Sequence, residues 1–320
     1  MTEAGRESLL SAAQAVLTTL DGALIGQRKA CEALLAAYMA NGHALLEGVP
    51  GIGKTLLARS FAGALGLDFG RIQFTPDLMP SDLVGTNVFD PASRTFRMLR
   101  GPVFTRILMA DEINRTPPKT QSALLEAMQE RQVTIDGSSH ALDQGFFVVA
   151  TENPVEFEGT YPLPEAQLDR FLLKIEMGLP SAEDEVAIYK AAVDGQLAGW
   201  GAQAAAAAVA PDTAAALRLA SRQVHVAPDL LPYLARLAAA VRRSPHVELG
   251  VSPRGGLALL EAARAAALLA GRDFVAPDDI KAYLVPAWGH RLILTSEAEL
   301  EGHNARRILE DVGRTVEVPH

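Results

Sequence analysis

The chain has 320 residues, 29 of them Lys or Arg and 38 Asp or Glu, for a formal net charge of −9. Hydrophobic residues make up 49 % and charged residues 21 %, a globular mixture that excludes disorder, and the length accommodates two domains with a core each. The acidic balance argues against a general grip on nucleic acid or anionic lipid, the single Cys31 excludes a disulfide framework or four-thiolate zinc site, and no stretch reaches the roughly 18 apolar residues of a membrane span. Residues 1–7 lack the basic start of a signal peptide, so the expected location is the cytoplasm.

In chain order, residues 7–20 and 27–40 read as helices broken at Ile25-Gly26. His43–Glu47 is a short apolar strand, followed by a glycine-rich turn and a helical pattern over 55–65. Four more short apolar runs follow, at 69–74, 103–110, 146–150 and 171–175. Runs apolar on both faces and separated by helical segments predict a parallel sheet covered on two sides. Beyond Pro180 the composition shifts to alanine- and leucine-rich helical segments with no further convincing strand. Val-Ala-Pro-Asp recurs at 209–212, 226–229 and 275–278, where proline and an acid suit a first helical turn. Gln203–Ala210 is of low complexity and reads as a tolerant helix or loop.

The turn Gly48-Val49-Pro50-Gly51-Ile52-Gly53-Lys54-Thr55 matches G-x-x-x-x-G-K-[ST] between strand and helix, the context a phosphate loop requires. Its amides converge on phosphate, with the helix N-terminus adding partial positive charge; Leu56 follows in the first helical turn. Lys54 is placed to reach the β- and γ-phosphates of ATP, and Thr55 to offer its hydroxyl to Mg²⁺. Ile107-Leu108-Met109-Ala110 leads four apolar residues into Asp111 and Glu112. Asp111 is the candidate second magnesium holder, and Glu112 the candidate group that orients or deprotonates water. The seven histidines show no pair at metal-ligand spacing in the chain, and Cys31 reads as core packing.

The stretch Asp111-Glu112-Ile113-Asn114-Arg115-Thr116-Pro117-Pro118, continuing to Met128, resembles the MoxR family of AAA+ ATPases, and the similarity runs from about Ile25 to the C-terminus. Thr75–Gly85 and Gly101–Phe104 resemble the segments flanking that family's insertion in the second core helix. Arg131–Gly137 resembles its hairpin before sensor 1, open either to a client or simply to solvent. The resemblance implies a three-layer α/β P-loop core over residues 1–180 and a small all-helical lid over 181–320, with nucleotide between them. It implies Asn153 as sensor 1, although Asn-Pro is also an ordinary turn; Arg170 as an arginine finger acting in a neighbouring subunit; and Arg254 as sensor 2. For these arginines a structural ion pair or a helix-start position is the alternative. Ile25 and Gly26 fall beside the adenine. The same resemblance implies a homo-oligomeric ring, a hexamer, that hydrolyses ATP to remodel proteins, with a partner carrying a von Willebrand factor A domain. A magnesium-chelatase-type motor subunit and a nucleotide-regulated scaffold with little hydrolysis are the rival readings; DNA remodelling is disfavoured by the net charge.

Overall fold

A computed structural model of the chain describes residues 3–154, 159–195 and 206–319. Helices α1 (Glu3–Ala23) and α2 (Arg28–Met39) open the chain. In α2, Cys31, Leu34, Leu35 and Tyr38 recur at helical spacing and are buried, so Cys31 is a packing residue. Then come β1 (Ala44–Glu47), α3 (Lys54–Ala64), β2 (Phe69–Gln73) and the short α4 (Pro80–Val84). A hairpin of β3 (Gly85–Asp90) and β4 (Thr95–Arg100) precedes β5 (Ile107–Asp111) and α5 (Pro118–Glu130). A second hairpin pairs β6 (Gln132–Ile135) with β7 (Ser138–Ala141), and β8 (Phe147–Glu152), α6 (Glu165–Leu168) and β9 (Leu173–Glu176) follow.

Five strands form one parallel sheet in the order β2-β5-β8-β1-β9. These are the five apolar runs of the sequence, although Val103–Arg106 stays outside β5. Side chains alternate between two cores, as strand geometry dictates. Ala44, Leu46, Met109 and Val149 face α1, α2 and α3; Leu45, Leu108, Ala110 and Val148 face α5 and the β6–β7 hairpin. The β3–β4 hairpin lies between the segments 75–85 and 101–104 and is joined to the second hairpin where Asn87 donates to Asp136 at 2.9 Å. Its cross-strand Phe89–Phe96 pair lies 5.4 Å apart, with both rings exposed.

The remaining elements are α7 (Ala182–Val193), α8 (Pro211–Ser221), α9 (Leu230–Arg242), β10 (Val247–Leu249), α10 (Pro253–Leu269), α11 (Pro277–Trp288), β11 (Ile293–Leu294), α12 (Ser296–Leu300) and α13 (Ala305–Thr315). Two sequence expectations change here. Strands do recur, because β10 and β11 form a two-stranded antiparallel ladder too short for periodicity to reveal. The repeated tetrapeptide opens a helix at Pro211 and Pro277, but Pro228 precedes α9, whose N-cap is Asp229. Of the low-complexity run, residues 203–205 lie outside the described residues and 206–210 are irregular.

Helices α8 and α10 pack against α1 and α2, and α11 packs on β9. Leu217, Leu237, Leu259 and Trp288 thereby join Leu20, Leu34 and Phe61 in one continuous apolar core. The Trp288 indole N–H donates to the carbonyl of Gly255 at 2.8 Å, so the buried ring keeps its polar atom satisfied. The helices after α7 therefore brace the flank of the sheet unit and do not roof the phosphate loop.

Candidate functional site

The chain leaves β1 into the phosphate loop and enters α3 through Gly53, whose φ of +95° is a left-handed conformation that suits glycine. Lys54, the first residue of α3, donates to the carbonyls of Gly48 and of Glu152, the latter at 3.1 Å, which ties the loop to the end of β8. A cleft of about 660 Å³ opens above the loop, within the range of small-molecule sites. Pro50 through Leu56 form its floor, while Asp111, Glu112 and buried Asn153 form one wall. Ile25, Leu179, Pro180, Ile188 and Tyr189 supply an apolar slot at the other end, suited to a planar base. Gln27 fixes that slot by donating its side-chain amide to the carbonyl of Gly178 at 2.9 Å. Gly26 (φ +78°) passes so close to α7 that an added Cβ would lie 2.7 Å from the Asp184 carboxylate. Gly48 sits under the loop against Ile52 and the carbonyl of Met177, and Val49 does not line the cleft.

The acid pair is held by contacts the sequence reading did not identify. Asp111 is buried, accepting at Oδ1 from the Thr151 hydroxyl (2.7 Å) and at Oδ2 from Arg71 (2.6 Å). The Thr151 hydroxyl also accepts from the backbone N–H of Glu112 at 2.8 Å, so one buried side chain fixes both acids. Glu112 has φ +55°, a strained conformation outside glycine of the kind that concentrates at functional sites. Its Oε2 accepts from Gln73 at 2.9 Å and from Arg115 at 3.2 Å. The only advance signal for these supports was polar residues at the ends of apolar strands. Beside the loop, burial and the neighbouring Glu47 raise the Glu152 carboxyl above its ordinary range, and Lys174, ion-paired with Glu47 at 2.7 Å, opposes that rise.

Arg170 and Arg254 lie elsewhere. They share a cleft of about 360 Å³ with Asp169 and Arg291 at the N-terminal edge of the sheet, and no phosphate-loop residue lines it. In a parallel sheet that edge is separated from the loop by a strand's length, roughly 13 Å for four residues. Arg254 therefore does not line the phosphate-loop cleft of its own chain, and of the segment expected to form the lid it is α7 that meets that cleft. Among the described residues after Pro180, only α7 walls the nucleotide cleft, because α8–α13 pack on the flank. Asp169 organises this second cleft. It accepts from Arg291 at 2.7 Å and lies 3.8 Å from Arg254. Burial lowers the Arg291 pKa, while its bond to Asp169 acts in the opposite direction. Arg170 donates to the carbonyl of Leu125 at 2.7 Å.

The histidine reading also changes in one place. His246 and His303 stack with centroids 4.0 Å apart, and Glu301 lies 3.5 Å from His303. Their ligand-type atoms fall within 4.8 Å of one another, a proximity that linear spacing could not disclose.

A parallel sheet of this order, a phosphate loop after β1 and an acid pair at the end of β5 define a P-loop nucleotide-binding protein of the AAA+ class. The family model described as "ATPase family associated with various cellular activities (AAA)" matches residues 43–173, and the "AAA lid domain" model matches 239–312. The chain is 46 % identical over 297 residues to the Bacillus subtilis (strain 168) protein YeaC, covering 92 % of this chain and 91 % of that one. It is 42 % identical to Chaperone MoxR1 of Mycobacterium tuberculosis (strain ATCC 25618 / H37Rv), covering 92 % and 79 %. A crystal structure of a candidate ATPase from Cytophaga hutchinsonii ATCC 33406 superposes with a TM-score of 0.91 at 38 % identity, covering 99 % of this chain and 98 % of that one. The chain belongs to the MoxR family of AAA+ ATPases. The described helices include none long and apolar enough to cross a membrane.

Proposed function

We propose that the protein binds ATP with Mg²⁺ in the cleft above Lys54 and hydrolyses it to ADP and phosphate. The observation that carries this reading is the convergence of Lys54, Thr55, Asp111, Glu112 and Asn153 on one cleft with an apolar slot at its far end. The donor set fits a magnesium ion, since the Thr55 hydroxyl and the Asp111 carboxylate are the hard oxygen ligands such an ion takes beside phosphate and water. A bound ion there would neutralise charge developing on the transferring phosphoryl group. Lys54 exchanges its carbonyl partners for phosphate oxygens. Glu112 takes a proton from the attacking water, and Asn153 orients that water or the γ-phosphate. Ile25, Gly26, Tyr189, Gly48 and the loop residues Pro50 through Leu56 bind the nucleotide, whereas Val49 stays outside the cleft.

Arg170 and Arg254 act on the nucleotide of a neighbouring copy. Their position supports this, because two arginines at the edge opposite the loop can serve a phosphate only if another chain supplies it. The reading therefore requires a closed ring, proposed as a hexamer, in the cytoplasm. Residues 1–180 form the nucleotide core and 181–320 the helical lid, whose bracing changes with phosphate state. The work done is remodelling or maturation of other proteins, including a partner with a von Willebrand factor A domain. The name Chaperone MoxR1 borne by a 42 % identical relative supports that direction.

Steady-state ATP turnover at ring-forming concentration, compared with Glu112→Gln, tests the reading. Wild-type turnover falling at least a hundredfold in the variant is the expected result; equal slow rates would leave a nucleotide-regulated scaffold.

A further inference from the structure

A third cleft, of about 390 Å³, lies where helix α8 crosses the N-terminal edge of the sheet; it is separate from the phosphate-loop cleft and shares Asn41 and Arg131 with the cleft of Arg170 and Arg254. Its walls come from two parts of the chain. Tyr38, Arg106 and Arg131 belong to the sheet unit, and Arg218 and Arg222 to α8. Four guanidinium groups in one small cleft are unexpected in a chain with nine more acids than bases. Two carboxylates, Asp143 and Asp212, line it as well.

The pairing pattern makes the cluster informative. Arg106 is satisfied by Asp68 outside the cleft. Asp143 spends Oδ1 on the backbone N–H of Gly145 at 2.6 Å. Among the described residues, no carboxylate lies within 4 Å of Arg131, Arg218 or Arg222. Arg131 is fixed through Asn41 Oδ1 at 2.7 Å and the carbonyl of Gln144, both neutral partners. Arg218 is 8 % exposed and lies over the Tyr38 ring at 5.1 Å, so its guanidinium plane is set in advance. Arg222, the C-cap residue of α8, is exposed. Burial of these cations is costly, and the carboxylate of Asp143, farther than an ion-pair distance, offsets it only in part. Burial, then repulsion from Arg218 and Arg222, lowers the pKa of Arg131, and burial lowers that of Arg218, with Asp143 acting in the opposite direction on both.

We propose that this cleft is a second anion site, taking a compact multivalent oxyanion of the phosphate class between Arg131 on the sheet unit and Arg218 and Arg222 on α8. Planar guanidinium forks suit tetrahedral oxyanions, and cations held in advance by Tyr38 and Asn41 lose little freedom on binding. The volume accepts a pyrophosphate unit. An anion here ties α8 to the sheet edge, so its occupancy stiffens the brace between lid and core. The inference does not depend on the hydrolytic reading of the phosphate loop.

The probe is pyrophosphate, titrated calorimetrically into Lys54→Ala protein so that the phosphate loop is disabled. The expected result is binding that weakens as salt rises and that becomes at least about tenfold weaker in Lys54→Ala/Arg222→Glu. Arg222 is exposed and its change leaves the fold intact, which thermal unfolding verifies; Arg218→Gln is the buried counterpart and is expected to abolish binding. ADP competing with pyrophosphate in the Lys54→Ala protein identifies a nucleotide's phosphate chain as the source, whereas pyrophosphate binding without ADP binding identifies an inorganic ion. No pyrophosphate binding to Lys54→Ala protein, or binding indifferent to Arg222→Glu, overturns the proposal.

Discussion

The side-chain amide of Gln73 on β2 donates to Oε2 of Glu112 at 2.9 Å, and Arg115 donates to the same oxygen at 3.2 Å. Both donors occupy the oxygen that would have to receive a proton from an attacking water, so the carboxylate must first give up one of them. The contact therefore restrains the proposed general base. Gln73→Leu should raise basal ATP turnover several-fold while leaving nucleotide affinity unchanged. A fall in turnover would show that Gln73 aims Glu112 at the water and does not restrain it.

Thr151 gives a second prediction because its hydroxyl joins Asp111 Oδ1 and the Glu112 N–H inside the protein. Thr151→Val keeps the shape and leaves both buried groups without that partner, at a cost of about 1–3 kcal/mol in unfolding free energy. Turnover should fall by roughly 10–100-fold, the range for losing a residue that orients a metal ligand. Denaturant unfolding and an ATPase assay at saturating nucleotide measure the two effects. Intact turnover in a destabilised variant would make Thr151 purely structural.

These supports also mark the limit of what could be read in one dimension. The phosphate loop and the Asp111-Glu112 pair were legible because each is a contiguous run between strand and helix. The central strands β5 and β8 were legible because both their faces are apolar. Gln73 and Arg71 were not, because β2 is an edge strand of mixed polarity. They matter only through the parallel register that sets Gln73 beside Asp111. The seat of the lid was equally hidden. Alanine and leucine periodicity shows that α8 and α10 have apolar faces, but which surface those faces cover is decided by their fit to α1 and α2. That is why the sequence places Arg254 at the start of a helix but does not show which end of the sheet that helix meets.

The location of Arg170 leads to a mixing experiment. Arg170→Ala should bind ATP normally and turn over at least a hundredfold more slowly, since a finger acts in the transition state. Lys54→Ala should lose nucleotide affinity. Each variant keeps what the other lacks, so mixing the two at ring-forming concentration should restore a fraction of wild-type turnover. No recovery in rings shown by sedimentation to contain both variants would leave Arg170 as a structural anchor of α5 through Leu125.

The buried histidines set the stability profile in acid. His43 is enclosed between β1, β8 and α5, accepting at Nδ1 from the Val148 N–H at 2.9 Å and placing Nε2 3.1 Å from the Met128 carbonyl. Burial lowers its pKa to about 3, against an ordinary value of 6.5. His290, buried against the Phe171 carbonyl, is lowered in the same direction by the same cause. The folded state therefore holds both rings neutral while the unfolded chain takes up protons below pH 6.5. Their contribution is fully present above that value and is lost as pH falls toward the folded pKa. At pH 5 the loss from His43 alone is about 2 kcal/mol. Urea unfolding at pH 7 and pH 5 should show wild type losing about 2 kcal/mol more than His43→Gln, whose amide can keep one donor and one acceptor in place. An equal loss in the two proteins would mean that His43 is already protonated in the fold.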